Sequence, residues 1–564
     1  MDERVAEPTP WPRGRTIRRV GIGLLLFVLV WNSLYYWPYL VDDTFISLRY
    51  ARNLIDGAGL VYNPGQYVEG YSNFSWVMLE AALLGLGLPV LTSLKVLGLM
   101  CGLATAWLTL VLAGRIVGRS ADGAVARLLA LALICLNTGL AAWTQAGLET
   151  AFFALLVVAM CLRFEVEQDR TKARPWSALL FGLAWMTRPE APIYGLYFLV
   201  RRLSVLRRRR LCPADLWWLV GWAVVVVPYE AWGLWYYGHL LPNTYAAKIG
   251  GVGSDGLAGL GRKLLHQPLL VDFATAQGWG FAGLLLLGAV GCFRRIRSLP
   301  LVAWLPLVCG VIFVLHAQRD WMARYRLLVP VMSFLFAAVG FGLANLYGWA
   351  RPSRGWLAIW CVAVGVLMVD YARHQMFGAY PRGVRWLATQ ARDWTWWADV
   401  PAQLSRRDYP FESRAWSVLE NLPPEATVCA RDIGFIGFLT GNPIWDTAGL
   451  FTPAATRGRQ DRSDQATQAM LDDLWAADPA CLYLFNQRAR TNDARLVARL
   501  QSDPRARSQY SRHPWPAAVG PSGVTYLRDP LPAVDLNERV RRAIRSFPEY
   551  EDRARRLLAA RSRR

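Results

Sequence analysis

Two adjacent carboxylates, Asp42 and Asp43, stand directly after Val20–Leu40, an apolar run without any charged residue. Ionised side chains at a membrane boundary are energetically costly and mark functional sites. A carboxylate pair there suits a general base, because partial burial and a like-charged neighbour raise the pKa of one member. The structural alternative is that the pair caps the helix predicted over Thr44–Ile55, since Asp accepts hydrogen bonds from the free amides of a helix start.

The other polar residues that could bind a substrate lie mainly in loops that share one membrane face with this pair. A transporter would place ionisable groups near the midplane of the bilayer, whereas this arrangement suits chemistry at one surface on a lipid-linked substrate. The candidate binding residues are Arg49, Glu69, Tyr71, Asn73, Trp76, Arg188, Glu190, Asn243, Lys248, Asp320, Trp321, Arg324 and Arg326.

Several of these candidates also have a structural interpretation. Arg188 and Glu190 flank Pro189, which breaks a helical hairpin, and their charges are expected to pair. Arg324 and Arg326 precede an apolar segment, where arginines also extend toward lipid headgroups. These residues therefore stay candidates for binding and for structure alike.

The positions of the apolar segments predict a polytopic α-helical membrane protein with about eleven transmembrane helices. At ~1.5 Å per residue, the first run spans roughly 30 Å, the thickness of the hydrocarbon layer, and predicts an uncleaved anchor. Tyr71–Leu88 carries Glu80 and several glycines, so an interfacial or re-entrant helix is expected there. The eleven predicted spans are 20–40, 94–114, 124–142, 149–163, 175–187, 190–200, 215–237, 279–293, 300–316, 327–348 and 355–372.

The distribution of arginine predicts the orientation in a bacterial cytoplasmic membrane. Alternate loops are basic, as expected for loops that face the cytoplasm. Residues 1–19 then form a cytoplasmic tail, and 20–373 form the transmembrane catalytic domain, whose first outer loop covers 41–93. An odd number of spans places the remainder, 374–564, outside the cytoplasm.

That C-terminal segment, here called the tail domain (374–564), is predicted to be a soluble α/β domain. Helices are expected over Ser413–Asn421 and Asp464–Ala476, and strands over Ala426–Ala430 and Cys481–Phe485. Cys429 and Cys481 both fall on predicted strands, which leaves a disulfide and two free thiols as alternatives. The basic end, Arg539–Arg564, is predicted to form a solvated helix.

Composition narrows the function classes. The 564 residues are 54% hydrophobic, with 27 Trp and a formal charge of +21. The arginine surplus lies mostly in short loops between apolar segments, which argues against nucleic acid as a partner. The nine cysteines show no CxxC or Cys/His metal spacing, so no cofactor and no metal site are indicated.

Taken together, the motifs resemble the first outer loop and later segments of the GT-C glycosyltransferases, and most closely the AftB-like arabinofuranosyltransferases. The similarity covers most of the chain, and the first-loop motif is its most specific part. It is carried by Asp42–Asn53, Gly59–Gly65, Val68–Trp76, Gly147–Thr150, Thr187–Glu190, Tyr237–Thr244, Asp320–Arg326 and Asp432–Asp446.

This resemblance implies an inverting glycosyltransferase with a GT-C fold. It would move a sugar, arabinofuranose in the AftB-like family, from a polyprenyl phosphate to a hydroxyl of a cell-envelope glycan or glycolipid. An acidic residue of the first loop serves as base in such enzymes, and the matching positions are Asp42 and Asp43, with Asp42 preferred. Arg188, Lys248, Arg324 and Arg326 would hold the phosphate, and Tyr71, Trp76 and Trp321 would line the sugar site.

Three alternatives remain open at the level of sequence. A lipid-linked glycan transporter or flippase would need a charged path through the membrane. A non-catalytic scaffold for cell-wall assembly would not need the acidic pair. Some GT-C enzymes use a divalent metal, although no ligand cluster beyond Asp42 and Asp43 is evident here.

Overall fold

Helix α1, Pro12–Tyr35, contains most of the charge-free run near the N-terminus. The helix begins inside residues 1–19, which were predicted to be a polar tail. Arg has a high helix propensity, so the arginines before Val20 continue the helix toward the N-terminus. The computed structural model describes residues 12–37, 39–118, 122–168, 174–206, 213–244, 268–295, 299–316, 322, 324–378, 410–461, 463–485, 492–513, 523–528 and 538–539.

Each of the eleven segments predicted as membrane helices contains helical residues, although turns or 3-10 segments interrupt or end several of them. Five helices of the described part are long and apolar enough to cross a membrane, or six if the bent pair α5 and α6 forms one span, so the count of eleven stays a prediction. Beyond α1, the helices are α2 Asp42–Ile55, α3 Phe74–Gly85, α4 Val90–Val117, α5 Asp122–Leu136, α6 Thr138–Gln145, α7 Thr150–Gln168, α8 Trp176–Thr187, α9 Gly195–Leu206, α10 Pro213–Tyr237, α11 Pro268–Phe293, α12 Leu301–His316, α13 Met332–Ala350 and α14 Arg354–Arg373.

The predicted span 124–142 and helix α11 are each interrupted by an identifiable residue. The side chain of Asn137 accepts a hydrogen bond from the Leu140 amide at 3.0 Å and so starts α6. Helices α5 and α6 consequently meet at 53°. Helix α11 is kinked at Gly278, whose φ of 76° is readily adopted only by glycine. Both breaks put polar backbone inside the helical bundle.

The first outer loop contains two helices, α2 and α3. Helix α2 begins at the acidic pair itself, two residues earlier than predicted. Helix α3 has 12 residues and is about 18 Å long, which is too short to span a bilayer. This length agrees with the prediction of an interfacial or re-entrant helix.

The tail domain is an α/β unit, as predicted. Its five-stranded sheet has the order β2-β1-β3-β5-β4, with β1 parallel to β2 and β3, and β5 antiparallel to β3 and β4. The predicted bounds of Asp464–Ala476 and Cys481–Phe485 are confirmed. The elements are α15 Pro410–Asn421, β1 Val428–Ala430, α16 Gly434–Thr440, β2 Ile444–Asp446, α17 Pro453–Gln460, α18 Asp464–Ala476, β3 Cys481–Phe485, α19 Asn492–Leu500, α20 Pro504–Gln509, β4 Tyr510–His513 and β5 Gly523–Arg528.

The disulfide alternative is wrong, because neither Cys429 nor Cys481 is in a disulfide bond. Their strands are neighbours, with Val428 opposite Cys481 in the register. Side chains alternate between the two faces of a sheet, so the two thiols point to opposite faces. Cys481 joins the core shared with the first loop, and Cys429 joins the core under α18 and α19. The predicted basic helix at the C-terminus lies almost wholly outside the described residues.

One hydrophobic core joins the first loop to the tail domain. It combines Phe45 and Tyr62 of the loop with Phe435 and Phe438 of α16, and it continues into one face of the sheet. Phe45 packs edge-on against Phe435, with 4.9 Å between the ring centroids. The tail domain therefore packs directly on the residues that carry the acidic pair.

Two glycines permit this close contact between α16 and the first loop. A Cβ on Gly434 would lie 1.8 Å from the Asp42 carbonyl oxygen, and one on Gly437 would lie 1.9 Å from the Tyr62 hydroxyl oxygen. Both distances are far below van der Waals contact. Glycine at these two positions is therefore a steric requirement for docking α16 on α2.

Replacing Gly437 by Ala should weaken this docking, because overpacking of this kind costs about 1–3 kcal/mol. Hydrogen exchange in the solubilised protein should become faster over 434–440, while exchange in α4 stays unchanged. Gly233→Ala in α10 is the matched control, since a Cβ there meets no atom within 4 Å. Unchanged exchange over 434–440 in Gly437→Ala would contradict the steric argument.

Candidate active site

The Asp42 carboxylate holds the start of α16. Its Oδ2 accepts a hydrogen bond from the Gly434 amide at 2.8 Å, and its Oδ1 accepts one from the Phe435 amide at 2.9 Å. Asp42 thus satisfies the free amides of a helix, but this helix belongs to the tail domain rather than to α2. Asp42 therefore caps a helix, as the structural alternative proposed, but the helix lies about 390 residues further along the chain, so the local sequence could not indicate it.

The neighbouring acids shape the electrostatics of Asp42. The pKa of Asp42 is raised to about 7, mainly by burial and also by the charge of Asp432, while the two amide hydrogen bonds act to lower it. Asp43 contributes a smaller repulsion and is itself partly exposed. Consecutive helical residues point about 100° apart, so the two carboxylates face different surroundings. Asp42 is enclosed by protein, whereas Asp43 stays accessible.

Arg49 is fully engaged in holding the other end of α16. Its Nη1 donates to the Gly437 carbonyl oxygen at 2.7 Å, and its Nη2 donates to the Asn442 carbonyl oxygen at 2.8 Å. Within the first loop, its Nε donates to the Tyr62 carbonyl oxygen at 2.7 Å and its Nη2 to Asn63 Oδ1 at 3.2 Å. Because the side chain is 4% exposed, its geometry serves docking rather than substrate contact.

Further contacts across this interface come from residues that the sequence analysis did not single out. The Tyr62 hydroxyl donates to the Ile433 carbonyl oxygen at 2.5 Å. Asn63 exchanges two hydrogen bonds with the backbone of Ile444, at 2.8 and 3.0 Å. Both residues lie within the first-loop motif Gly59–Gly65, and this membership could have marked them as important. Nothing in the sequence indicated their partners in the tail domain.

Asn243 and Trp76 also make structural contacts. Asn243 Nδ2 donates to the carbonyl oxygens of Leu450 and Gly449 at 2.8 and 3.1 Å, which ties the end of α10 to the tail domain. Trp76 is 1% exposed, and its Nε1 donates to the Gly147 carbonyl oxygen at 3.0 Å. These side chains position the loops around the acidic pair.

A second group of predicted residues forms a buried charge cluster. Arg188 Nη1 contacts Glu149 Oε1 at 2.5 Å, and its Nε contacts Glu190, so the expected pairing of Arg188 with Glu190 is confirmed. Asn73 Nδ2 donates to Glu149 Oε2 at 2.9 Å and also contacts the Ser47 hydroxyl. The cluster therefore reaches α2, and two carboxylates share the charge of Arg188.

Glu80 adds a further carboxyl group beside this cluster. It is fully buried in α3, and neither carboxylate oxygen has a hydrogen-bond partner among the described residues. Glu149 is the neighbouring charge. An isolated buried carboxylate is very costly, so Glu80 is expected to be protonated. The one sequence signal for it was a single acid inside an otherwise apolar segment.

Glu69 and Tyr71 lie in an aromatic cluster against the outer end of α10. Burial, together with repulsion from Glu230, raises the pKa of Glu69 to about 8. The Tyr229 hydroxyl lies 3.5 Å from Glu69 Oε1, and the Tyr71 hydroxyl lies 3.2 Å from that of Tyr237. The sequence predicted the loop half of this cluster but not the half on α10.

Arg324 lies next to Tyr36, just after α1, and Arg326 lies next to Trp143 of α6. The Arg324 guanidinium is 5.8 Å from the centroid of the Tyr36 ring, and that of Arg326 is 5.7 Å from the centroid of Trp143. Arg324 and Tyr325 have positive φ values of 63° and 43°. A strained backbone thus aims these side chains. Lys248, Asp320 and Trp321 lie outside the described residues.

The described residues contain no group of three or more His, Cys, Asp or Glu arranged to hold a metal ion. Asp42, Asp43 and Asp432 are close enough to interact electrostatically, yet two oxygens of Asp42 are directed at backbone amides. The arrangement can hold a proton, orient a hydroxyl and bind an anion at adjacent basic groups.

Comparison with known proteins confirms the resemblance to arabinofuranosyltransferases. The chain is 29% identical over 247 residues to a terminal β-(1→2)-arabinofuranosyltransferase of Mycobacterium tuberculosis, covering 41% of this chain and 39% of that protein. It is 25% identical over 361 residues to the protein of that name in Corynebacterium glutamicum, covering 56% and 49%. The chain thus spans less than half the length of each relative.

The fold of this chain is similar to that of ArnT. ArnT from Cupriavidus metallidurans bound to undecaprenyl phosphate superposes with a TM-score of 0.54 at 14% identity, over 93% of this chain and 99% of that chain. The apo state of ArnT gives 0.55 at 15% identity, over 90% and 97%. At this identity the likeness concerns the fold. Residues 380–527 match a family described as a domain of unknown function, DUF8728.

Removing Arg188, the cation that pairs with both glutamates of the buried cluster, should destabilise the protein. Arg188→Met leaves Glu149 and Glu190 buried without a positive partner among the described residues, and breaking such a pair costs about 3–5 kcal/mol. Thermal unfolding in detergent should therefore shift strongly downward. Glu80→Gln is the control in the same cluster, because it replaces a protonated acid by a neutral isostere and should leave the midpoint nearly unchanged. A large downward shift for Glu80→Gln would show that Glu80 is charged.

The docking of the tail domain should weaken as pH rises from about 4 to about 7. The pKa of Asp42 is about 7 in the folded protein and near 3.8 when unfolded, so the folded state binds more protons between these values. Glu69, at about 8, and Asp446, at about 6, act in the same direction. Exchange over 434–440, divided by the intrinsic base-catalysed rate of each amide at the same pH, should be slower at pH 5 than at pH 8, and Asp42→Asn should reduce this difference in protection. An undiminished difference would assign the effect to other groups.

Proposed function

We propose that this protein is an inverting glycosyltransferase that moves a sugar from a polyprenyl-phosphate donor to a hydroxyl of an envelope glycan or glycolipid. The observation that carries the proposal is the acidic pair, one carboxylate enclosed and one accessible, at the junction of the membrane domain and the tail domain. The similarity to arabinofuranosyltransferases and the fold shared with an undecaprenyl-phosphate-binding protein support it. We propose arabinofuranose as the sugar, because both relatives are named arabinofuranosyltransferases.

In this mechanism Asp43 acts as the base, in place of Asp42, which the sequence favoured. Both carboxylate oxygens of Asp42 accept amide hydrogen bonds, and only 6% of the residue is exposed. An acceptor hydroxyl reaches the accessible Asp43 more readily, and Asp43 takes its proton. The acceptor oxygen then attacks the anomeric carbon from the side opposite the phosphate, whose bond to that carbon breaks, so the configuration is inverted.

The leaving polyprenyl phosphate needs positive charge. Arg188 is poorly suited, because Glu149 and Glu190 already share its charge. Arg324 is better suited, since its guanidinium lies over Tyr36 and makes no ion pair with a described residue. A guanidinium can grip phosphate oxygens with two hydrogen bonds as negative charge develops on them. Arg326 is a second candidate beside it.

The tail domain contributes to the site by holding the acidic pair in place. Its helix α16 contacts Asp42 directly, so the spatial position of the neighbouring Asp43 carboxylate depends on this docking. Acceptor binding by the exposed surface of the tail domain would bring the hydroxyl to the same junction. The enzyme is proposed to act at the outer face of a bacterial cytoplasmic membrane, with the N-terminus inside.

The test is transfer by purified protein in liposomes that contain a labelled polyprenyl-phosphate sugar. Asp43→Asn should lower the rate about 100- to 10,000-fold, the usual contribution of a general base, and leave hydrogen exchange over 434–440 unchanged. Asp42→Asn should lower activity and also speed that exchange, because the side-chain NH2 group, unlike either oxygen of a charged or neutral carboxyl group, cannot accept a backbone hydrogen bond. Asp56→Asn, at the exposed end of α2, is the control.

Each alternative outcome has a distinct meaning. Normal turnover by a folded Asp43→Asn protein would overturn its role as base. A non-catalytic scaffold would produce no labelled product with any member of a donor panel. A flippase would move the labelled lipid across the bilayer without forming product.

A further inference from the structure

An open groove of about 810 Å³ lies between α4, α5, α7 and α8, at the membrane face opposite the acidic pair. Helix α4 fixes this position. Lys95 near its start donates to the Tyr39 carbonyl oxygen, beside the first loop, and Arg115 near its end lines the groove. Twenty residues separate them, about 30 Å along a helix. The groove and the proposed catalytic centre therefore lie a bilayer apart.

Three arginines from three different helices line this groove. They are Arg115 of α4, Arg127 of α5 and Arg163 of α7. Arg127 lies directly on the backbone of Gly114, where a Cβ would come within 2.2 Å of its Nε. The absence of a side chain at Gly114 thus makes room for the guanidinium inside the groove.

The nearby acids do not neutralise all of this charge. Glu165 is paired with Arg201 at 2.8 Å, and Glu167 is paired with Arg163 at 2.9 Å and also accepts from the Ser177 amide. Arg127 makes no ion pair or hydrogen bond with a residue that the structure describes. The groove accordingly carries a surplus of positive charge at its Arg127 side.

The remaining walls are apolar and continue toward the membrane interior. Leu108 and Val111 extend the α4 wall about two turns beyond the arginines, and Leu180 and the half-exposed Trp176 form the opposite wall. A site with guanidinium groups at one end and an apolar channel at the other matches a molecule with a phosphate head and hydrocarbon chains.

We propose that this groove binds an anionic glycerophospholipid, with its phosphate at Arg127 and Arg115 and an acyl chain along Leu108 and Val111. Basic pockets between membrane helices bind acidic headgroups in this way. Arginines that merely extend to the interface would be spread over separate surfaces. Here three of them converge on one groove, and Gly114 accommodates one of them. The proposal does not depend on the transfer reaction.

The test is native mass spectrometry of the delipidated full-length protein with added phosphatidylglycerol, phosphatidylcholine, polyprenyl phosphate or inorganic phosphate. Phosphatidylglycerol should bind most tightly and raise the melting temperature. Arg115→Gln combined with Arg127→Gln should weaken its binding about tenfold. Val111→Trp, at a lipid-facing position, should also weaken it by filling the apolar channel, and it leaves the arginines intact. Arg354→Gln, an exposed arginine at the start of α14, is the control and should bind as the wild type does.

Unchanged phosphatidylglycerol affinity in the double arginine variant would overturn the proposal, and so would unchanged affinity in Val111→Trp. Equal binding of phosphatidylcholine would reduce the site to an unspecific lipid contact. Tighter binding of polyprenyl phosphate than of phosphatidylglycerol would overturn the choice of a glycerophospholipid. Inorganic phosphate binding as tightly as the lipid would remove the role of the apolar channel.

Discussion

The docking of α16 on α2 is the interaction on which the arrangement of the site depends. Asp42 and Arg49 are seven residues apart on α2, about 10 Å, which is the length of the seven-residue helix α16. Asp42 accepts the amides at the start of α16, and Arg49 donates to carbonyls at its end. The negative side chain thus meets the positive end of the helix dipole and the positive side chain meets the negative end.

This docking couples stability to chemistry, because Asp42 and Asp43 are consecutive residues. The amides of α16 fix the first carboxylate, and the position of the second follows from the helix geometry of α2. The same docking buries Asp42 near Asp432, which raises its pKa and makes the interface sensitive to pH. An enclosed acid of this kind is a poor proton acceptor for a bulky substrate, yet it is well placed to orient an accessible neighbour.

Local pattern was sufficient for the elements but insufficient for their long-range partners. The bounds of Asp464–Ala476 and Cys481–Phe485 follow from hydrophobic periodicity within the segment. The partner of Arg49 is Gly437, which lies 388 residues away, and no periodicity reports such a contact. Arg49 therefore resembled a substrate-binding residue. The two strand cysteines show the same limit, because only the register of the sheet decides which face each thiol occupies.

The basic residues near the site differ in whether their charge is already satisfied by groups of the protein. The charges of Arg49 and Arg188 are satisfied within the protein, by carbonyl oxygens and by two glutamates. Arg324 differs from them in its backbone as well. Its left-handed backbone conformation costs about 1–2 kcal/mol for a residue other than glycine. The Trp143 indole donates to the Arg324 carbonyl oxygen at 3.1 Å and so helps to maintain that conformation. The surrounding packing therefore sustains backbone strain at a cationic side chain that lies over an aromatic ring, and strain of this kind is concentrated at ligand-binding sites.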